Sequence, residues 1–311
     1  MKKLLVVFVL ICVVTGVWAS GGAESGKKIV IGCAIREFSD KWVSYCVEGM
    51  KKFQTDHPDV QLVFTDAKSD AALQVSQIET LVSNGAKGIV VSAVDPSTFK
   101  AMIPIAHKAG VFITSSNGLP EQSIMDQLDG FVGTRSIEAG QLQAEWIKKN
   151  IPEGGKVGVM MGMLVHEAAQ MRTKGVKEGL AGDPKYPIVA EAEGSWDRNK
   201  GLQIAENWLQ SGTGITIFAC NNDEMAIGAV LAARSMGIKD KLWILGVDGT
   251  SDAMEFLGKG LDMTLLQDPN VIGYEGVNQV YKMIKKQPFE KMQWISHTLI
   301  TAENKDKFTK K

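Results

Sequence analysis

The sequence predicts an α/β protein made of two doubly wound lobes, each built on a parallel sheet. Short apolar runs alternate with amphipathic stretches of helical period, and this order is typical of parallel sheets covered by helices on both faces. The order is repeated before and after a break at residues 131–135. A chain of 311 residues is also long enough for two domains of ~150 residues each.

Nine apolar runs predict strands, because continuous Val, Ile and Leu are typical of strands buried on both faces. These runs are residues 29–35, 60–65, 88–94, 111–114, 156–161, 188–192, 215–219, 242–247 and 263–266. Eight stretches predict helices, because their apolar residues recur at offsets that share one helical face. These stretches are residues 43–55, 71–84, 97–109, 137–150, 168–180, 199–210, 224–236 and 273–286.

Capping residues support this segmentation. Asp70, Asp95 and Ser251 place side-chain oxygens at predicted helix starts, where the first backbone N–H groups need acceptors. Asp223 directly precedes the helix at 224–236, so we expect it to cap that helix.

The first residues predict a secretory signal peptide. A basic start is followed by an apolar run at residues 4–14 and by Val17-Trp18-Ala19, which suits cleavage after Ala19. We expect a signal peptide at residues 1–19, a tether at 20–27, and a mature chain in the periplasm or another extracytoplasmic space. Cys12 lies inside the apolar run, which argues against a lipid-anchored cysteine but leaves that anchor as an alternative.

Composition excludes several classes of protein. The chain has 34 Lys+Arg against 35 Asp+Glu, and a nucleic-acid binder needs a cationic surface. Without Cys12 an odd number of cysteines is left, so Cys33, Cys46 and Cys220 are predicted to be buried thiols rather than a disulfide framework. Histidines are scattered and nucleophile or phosphate-loop motifs are missing, so we predict no catalysis, no cofactor and no metal site.

Polar and aromatic residues follow the predicted strands. Open parallel sheets bind ligands at the carboxyl ends of their strands, so these residues are candidates for a binding site. Indole rings together with short carboxylates and amides suit a polyhydroxylated ring, which has apolar faces and an equator of hydroxyl groups.

Several longer stretches resemble a known family. These stretches are residues 57–62, 93–96, 221–229 and 246–249, of which Asn-Asn-Asp-Glu-Met-Ala-Ile-Gly-Ala at 221–229 is the most specific. The chain resembles the type I periplasmic sugar-binding proteins of ABC transporters over residues 28–300, and among them it is nearest to the galactose/glucose-binding and inositol-binding members.

The resemblance implies a set of ligand-binding residues divided between the lobes. Asp40 and Asn117 would bind sugar hydroxyls from the first lobe, and Trp42 and Trp196 would cover opposite ring faces. Asp40 and Asp248 would together offset the charge of Arg172. The full set is Asp40, Trp42, Asn117, His166, Arg172, Trp196, Asn222, Asp248 and Gln267.

Two departures from the family pattern affect the choice of sugar. Ala168 stands where the galactose/glucose members carry Asp, and Gly118 stands where relatives carry a basic residue. The ligand expected from this pattern is a neutral monosaccharide or cyclic polyol, with inositol, xylose and glucose ahead of galactose. Residues 151–155 contain one carboxylate, whereas a calcium ion takes six or more oxygen ligands, so we predict no calcium there.

The resemblance also implies lobe boundaries and partners. A three-segment hinge would divide the chain into residues 28–135 plus 268–292 and residues 136–267 plus 293–311. We expect a monomeric receptor that delivers its solute to ABC transporter permease subunits in the membrane. The alternatives are a ligand-sensing partner of a chemoreceptor or kinase and, more remotely, a secreted carbohydrate enzyme.

Overall fold

The computed structural model describes residues 28–238 and 241–308. The predicted signal peptide and tether, residues 1–19 and 20–27, lie outside the described residues. Within the described part of the chain, two six-stranded sheets form two α/β lobes, as the sequence predicts.

The strands of each lobe form one sheet. The first sheet contains β1 (Ile29–Ile35), β2 (Val60–Asp66), β3 (Gly88–Val91), β4 (Phe112–Ser116), β5 (Gly130–Gly133) and β11 (Met292–Trp294). The second contains β6 (Lys156–Met161), β7 (Ile188–Glu193), β8 (Ile215–Cys220), β9 (Trp243–Leu245), β10 (Met263–Leu266) and β12 (Thr298–Thr301).

The helices follow the strands in the predicted order. They are α1 (Lys41–Asp56), α2 (Ala71–Ser83), α3 (Phe99–Lys108), α4 (Gln122–Met125), α5 (Ser136–Asn150), α6 (Glu167–Leu180), α7 (Arg198–Gln210), α8 (Asp223–Ser235), α9 (Ser251–Phe256) and α10 (Pro269–Ile284). Asp70 caps α2 as predicted, because its carboxylate accepts hydrogen bonds from the backbone N–H groups of Ala72 and Leu73.

Strand order places the carboxyl ends of the strands at one edge of each sheet. The first sheet has the order β11-β5-β4-β3-β1-β2, and all of its pairs are parallel. The second has the order β12-β10-β9-β8-β6-β7, and there β12 runs antiparallel to β10. The prediction of parallel sheets therefore holds except for this edge strand, a common addition to doubly wound sheets.

Three short strands are not predicted by the sequence. β5, β11 and β12 contain only three or four residues each, too few for an apolar run to stand out. β5 overlaps the predicted break at 131–135. Because β11 pairs with β5, residues 293 and 294 lie in the first sheet, although the sequence assigns them to the second lobe.

The chain passes between the sheets three times. The first hinge segment lies between β5 and β6, the second between β10 and α10, and the third between β11 and β12. We propose lobe boundaries that follow the sheets, which moves the last predicted boundary from residue 292 to the segment after Trp294.

Glycines let helices of the second lobe approach closely. A Cβ at Gly140 in α5 would lie 2.0 Å from the carbonyl oxygen of Arg172 in α6. A Cβ at Gly175 in α6 would lie 2.3 Å from the carbonyl oxygen of Ile137. This contact fixes α6 against α5 and thereby sets the position from which Arg172 extends.

The cysteines are buried as the sequence predicts. Cys33, Cys46 and Cys220 are free thiols in the cores of the two lobes. Burial raises the pKa of each thiol, so these groups pack as small apolar side chains.

Candidate functional site

A cleft lies between the two lobes, at the carboxyl ends of the strands. Open parallel sheets generally bind ligands at this edge. Its lining brings together every side chain that the family resemblance selects: Asp40, Trp42, Asn117, His166, Arg172, Trp196, Asn222, Asp248 and Gln267. Arg36 and Glu167, which the sequence did not single out, share this lining with Gly118 and Ala168.

Asp40 is the last residue of the loop after β1 and caps the N-terminus of α1. Its Oδ1 accepts a hydrogen bond from the Val43 N–H at 3.0 Å, and its Oδ2 accepts one from Arg36. Burial alone would raise the pKa of Asp40, but the Arg36 guanidinium and the Val43 amide outweigh it, so the pKa lies below its ordinary value. Asp40 therefore carries its charge at the cleft with both oxygens in hydrogen bonds.

Arg36 changes the predicted charge balance. The sequence predicts that Asp40 and Asp248 together offset Arg172, and this is wrong for Asp40, because Asp40 pairs with Arg36. The position of Arg36 could have indicated this ion pair, since Arg36 directly follows β1 and precedes Asp40 by four residues.

Trp42 and Asn117 complete the first lobe's share of the site. Trp42 is only 6 % exposed, packs in the core beside β1, and donates from its Nε1 to the carbonyl oxygen of Gln267 at 3.3 Å. Asn117 follows β4 with φ 64°, a left-handed conformation that Asn tolerates better than most residues. Trp42 thus links the first lobe to the second hinge segment.

Arg172 is the most buried charge of the site, with 2 % exposure. Its Nη1 donates to the carbonyl oxygen of Asn221 at 2.5 Å and lies 3.8 Å from Asp248 Oδ1. Its Nε is buried with no hydrogen-bond partner among the described residues. Burial lowers the pKa of Arg172, while the Asp248 charge opposes this shift.

Asp248 follows β9 in a strained conformation, with φ 130°. Its Oδ1 accepts a hydrogen bond from Gln267 Nε2 at 2.6 Å, and Gln267 Oε1 accepts one from Thr134 at 3.1 Å. Burial raises the pKa of Asp248, and Arg172 opposes this effect. Gln267 therefore joins a carboxyl group of the second lobe to the first hinge segment.

Asn222, rather than Asp223, caps α8, and Asn222 also lines the cleft. Asn222 caps α8, because its Oδ1 accepts a hydrogen bond from the Met225 N–H at 3.0 Å. Asp223 is fully buried and accepts hydrogen bonds from the N–H of Thr250 at 2.8 Å and from the hydroxyl of Thr264 at 2.6 Å. Burial raises the pKa of Asp223 to about 7. The predicted cap at Asp223 is thus wrong, and this residue holds the loop that follows Asp248.

The residue that caps α9, in the loop after Asp248, also differs from the prediction. The sequence predicts that Ser251 caps the next helix, but Thr250 does so, since its hydroxyl accepts a hydrogen bond from the Ala253 N–H at 3.2 Å. Ser251 is the first residue of α9 instead.

Trp196 is half-buried at the carboxyl end of β7, with φ 66°. A Cβ at Gly162 would lie 2.1 Å from its ring, so only glycine fits beneath the indole. Asn222 Nδ2 donates to the backbone oxygen of Trp196 at 3.2 Å, and the Arg172 guanidinium lies 5.6 Å from the ring centre. The indole is therefore held in one orientation at the cleft.

His166 lies between β6 and α6 and is 7 % exposed. Its Nε2 lies 2.9 Å from the backbone oxygen of Val94, and its Nδ1 lies 2.9 Å from the indole nitrogen of Trp196. Burial and then the charge of Arg36 lower the pKa of His166 to about 4.

Glu167 adds a third carboxyl group to the lining. Its Oε2 accepts a hydrogen bond from Ser136 at 2.9 Å, and burial raises the pKa of the group. Little in the sequence indicates this role, because the helix dipole alone favours a Glu in the first turn of a helix.

No three His, Cys, Asp or Glu side chains of residues 28–238 and 241–308 are grouped so that they could hold a metal ion. The helices in that part of the chain are also too short or too polar to cross a membrane.

A family described as a periplasmic binding protein domain matches residues 31–288. The chain belongs to this family. This confirms the resemblance stated from the sequence, and the topology of the two lobes agrees with it.

Relatives and solved structures extend the comparison. A putative rhizopine-binding protein of Rhizobium meliloti is 32 % identical over 89 % of this chain and 92 % of its own length. A ribose import binding protein of Bacillus subtilis is 28 % identical over 82 % of each. An ABC transporter solute binding protein from Bacillus halodurans, solved with bound myo-inositol, is 33 % identical, with a TM-score of 0.86, and the match covers 92 % of this chain and 99 % of the other.

Proposed function

We propose that this periplasmic binding protein is an extracytoplasmic receptor that captures a neutral monosaccharide or cyclic polyol between its lobes and delivers it to an ABC importer. One observation carries the proposal: both lobes contribute indole, carboxyl, amide and guanidinium groups to a single cleft. Indoles suit the apolar faces of a sugar ring, and the polar groups suit its hydroxyls.

The pairing of charges supports a neutral solute. Arg36 faces Asp40, and Arg172 faces Asp248, so each guanidinium already has a carboxyl group beside it. Glu167 adds a further carboxyl group, and an anionic solute would bring a negative charge next to all three. Anionic sugars are therefore disfavoured.

A polyol is supported by the comparisons as well as by the cleft. The 33 % identical structure contains myo-inositol. Ala168 at the cleft leaves one hydroxyl of a hexose without a carboxylate acceptor, and burying an unpaired polar group costs about 1–3 kcal/mol. We expect inositol, xylose and glucose to bind ahead of galactose.

We also propose that the chain is exported by its signal peptide and works as a monomer with permease subunits. An import binding protein among the relatives supports the role in import. They are binding proteins, so we propose no catalytic activity. A sensing role beside a chemoreceptor or kinase would use the same cleft and differ in the partner.

A thermal-shift screen against sugars and polyols tests the proposal. A solute present at 100 times its Kd adds about 2.7 kcal/mol to the stability of the folded chain. We expect myo-inositol, xylose or glucose to raise the melting temperature more than galactose, and glucuronate to have no effect. Tight binding of an amino acid, peptide or sugar phosphate, with no response to neutral sugars at millimolar concentration, contradicts the assignment.

A further inference from the structure

The hydrogen bonds of His166 leave neither of its ring nitrogens free to hydrogen-bond a solute. The Trp196 indole N–H can only donate and the Val94 carbonyl can only accept, so the imidazole must accept at Nδ1 and donate from Nε2. This fixes a neutral ring with its proton on Nε2. The family resemblance implies a ligand contact for His166, whereas both of its nitrogens are bonded to protein.

The two hydrogen bonds of His166 run in different directions. Trp196 belongs to the second lobe, as His166 does, while Val94 lies after β3 in the first lobe. The bond from His166 Nε2 to Val94 therefore crosses the cleft, and it exists only when the lobes are closed. The bond to Trp196 holds the indole that lines the site, with the two rings nearly parallel at 20° and 6.1 Å apart.

We propose that His166 is a positioning residue that orients the Trp196 indole and links the lobes through Val94, so that solute binding by the closed cleft requires a neutral imidazole. This inference rests on the proposed function, since it concerns how the same cleft closes on its solute.

Protonation would break this arrangement. A charged imidazole donates from both nitrogens, so Nδ1–H would point at the indole N–H of Trp196. Burial disfavours the charge, and Arg36 across the cleft repels it, while Asp40 and Asp95 favour it. Glu167 and Arg172 of α6 also line the same cleft. Burial and Arg36 outweigh the acidic groups, which leaves the pKa at about 4.

The direction of the pH effect follows from these values. When the cleft opens, the ring regains water and moves away from Arg36, so its pKa rises towards the ordinary value of 6.5. A group with a lower pKa in the closed state favours closure above the pKa of the open state and opposes it as the pH falls towards the pKa of the closed state. Affinity should therefore fall between pH 6.5 and pH 4.5, by at most about a hundredfold.

A substitution that cannot titrate separates this role from simple packing. In His166→Gln, the amide N–H can donate to Val94 and the amide oxygen can accept from Trp196, and the side chain carries no charge at any pH. His166→Ala removes both bonds. His297→Gln is the matched control, because His297 lies in the third hinge segment and its pKa is also lowered to about 4, chiefly by burial.

Calorimetric titration with myo-inositol from pH 7.5 to pH 4.5 is the first test. We expect wild type and His297→Gln to lose affinity together as the pH falls, and His166→Ala to bind about tenfold more weakly at pH 7.5. His166→Gln should restore most of that loss and show a flatter pH profile. Parallel profiles for wild type and His166→Gln overturn the proposal.

Nitrogen NMR of the full chain without solute is the second test, and it does not depend on the proposed function. We expect His166 to carry its proton on Nε2, because the bond from the Trp196 indole to Nδ1 lies within the second lobe and does not depend on closure. A proton on Nδ1 overturns the proposal whatever the chain binds. If wild type binds no sugar or polyol but His166 has the expected tautomer, the receptor assignment fails and the positioning role stands.

Discussion

Asp40 in the first lobe and Asp248 in the second both follow a strand at the cleft, but their surroundings differ. Both oxygens of Asp40 accept hydrogen bonds from its own lobe, and its pKa is held below the ordinary value. Asp248 is buried with a raised pKa, beside Arg172, whose Nε has no partner among the described residues. The second lobe therefore holds the polar groups that a solute would complete.

The two indoles of the site also differ in how fully their own lobe packs around them. Trp42 is packed in the core of the first lobe, whereas Trp196 is half-buried and stands on a left-handed backbone over Gly162. We infer that the first lobe supplies a rigid, internally bonded wall and that the second lobe determines most of the affinity.

The largest expected effect concerns the indoles. Trp42→Ala should destabilise the chain by about 3–5 kcal/mol, because it leaves a cavity in the core. Trp196→Ala should cost much less stability but weaken solute binding about ten- to hundredfold through lost ring contact. Urea unfolding and calorimetric titration of both variants measure the difference, and equal losses of stability would remove the distinction between the lobes.

The two carboxyl groups give the next largest effect. Asp248→Ala should weaken binding about ten- to hundredfold, since it leaves the buried donors of Gln267 and Arg172 without this partner, at a cost of roughly 1–3 kcal/mol. Asp40→Asn should weaken it by less than about tenfold, because Asn still caps α1 and both oxygens of Asp40 are already bonded to protein. If Asp40→Asn costs as much as Asp248→Ala in correctly folded variants, the first lobe contributes more than we infer.

The sequence predicts most of this site because the site follows the strand order. Strand ends can be read from apolar runs, and the family motif at 221–229 then indicates which polar residues at those ends face the cleft. Arg36 and Glu167 escaped detection because a charged residue near a strand end or in a first helical turn is usually solvent-exposed. Both are half-buried in the lining of the cleft.

Local rules fail where tertiary contacts compete with them. Asp223 has the residue type and position of a helix cap, but Thr250 and Thr264 occupy its carboxylate, and Asn222 one residue earlier caps α8. The short strands β5, β11 and β12 are specified by pairing with their neighbours rather than by their own composition. Such pairings join residues far apart in the sequence, so periodicity within a short window cannot detect them.

The smallest effect that we predict concerns Ala168, the second residue of α6 and part of the second-lobe lining. Ala168→Asp places a carboxylate in the first turn of a helix, where the helix dipole favours it, so the fold should tolerate the change. The new acceptor should improve binding of glucose and galactose relative to the native solute, by about tenfold or less. Ala168→Asn is the matched control, because it fills the same space without the charge, and it should improve the ratio less. Calorimetry with each sugar measures this ratio of affinities. If it changes equally in both variants, the volume of the side chain rather than a charged acceptor determines which hexose the second lobe accepts.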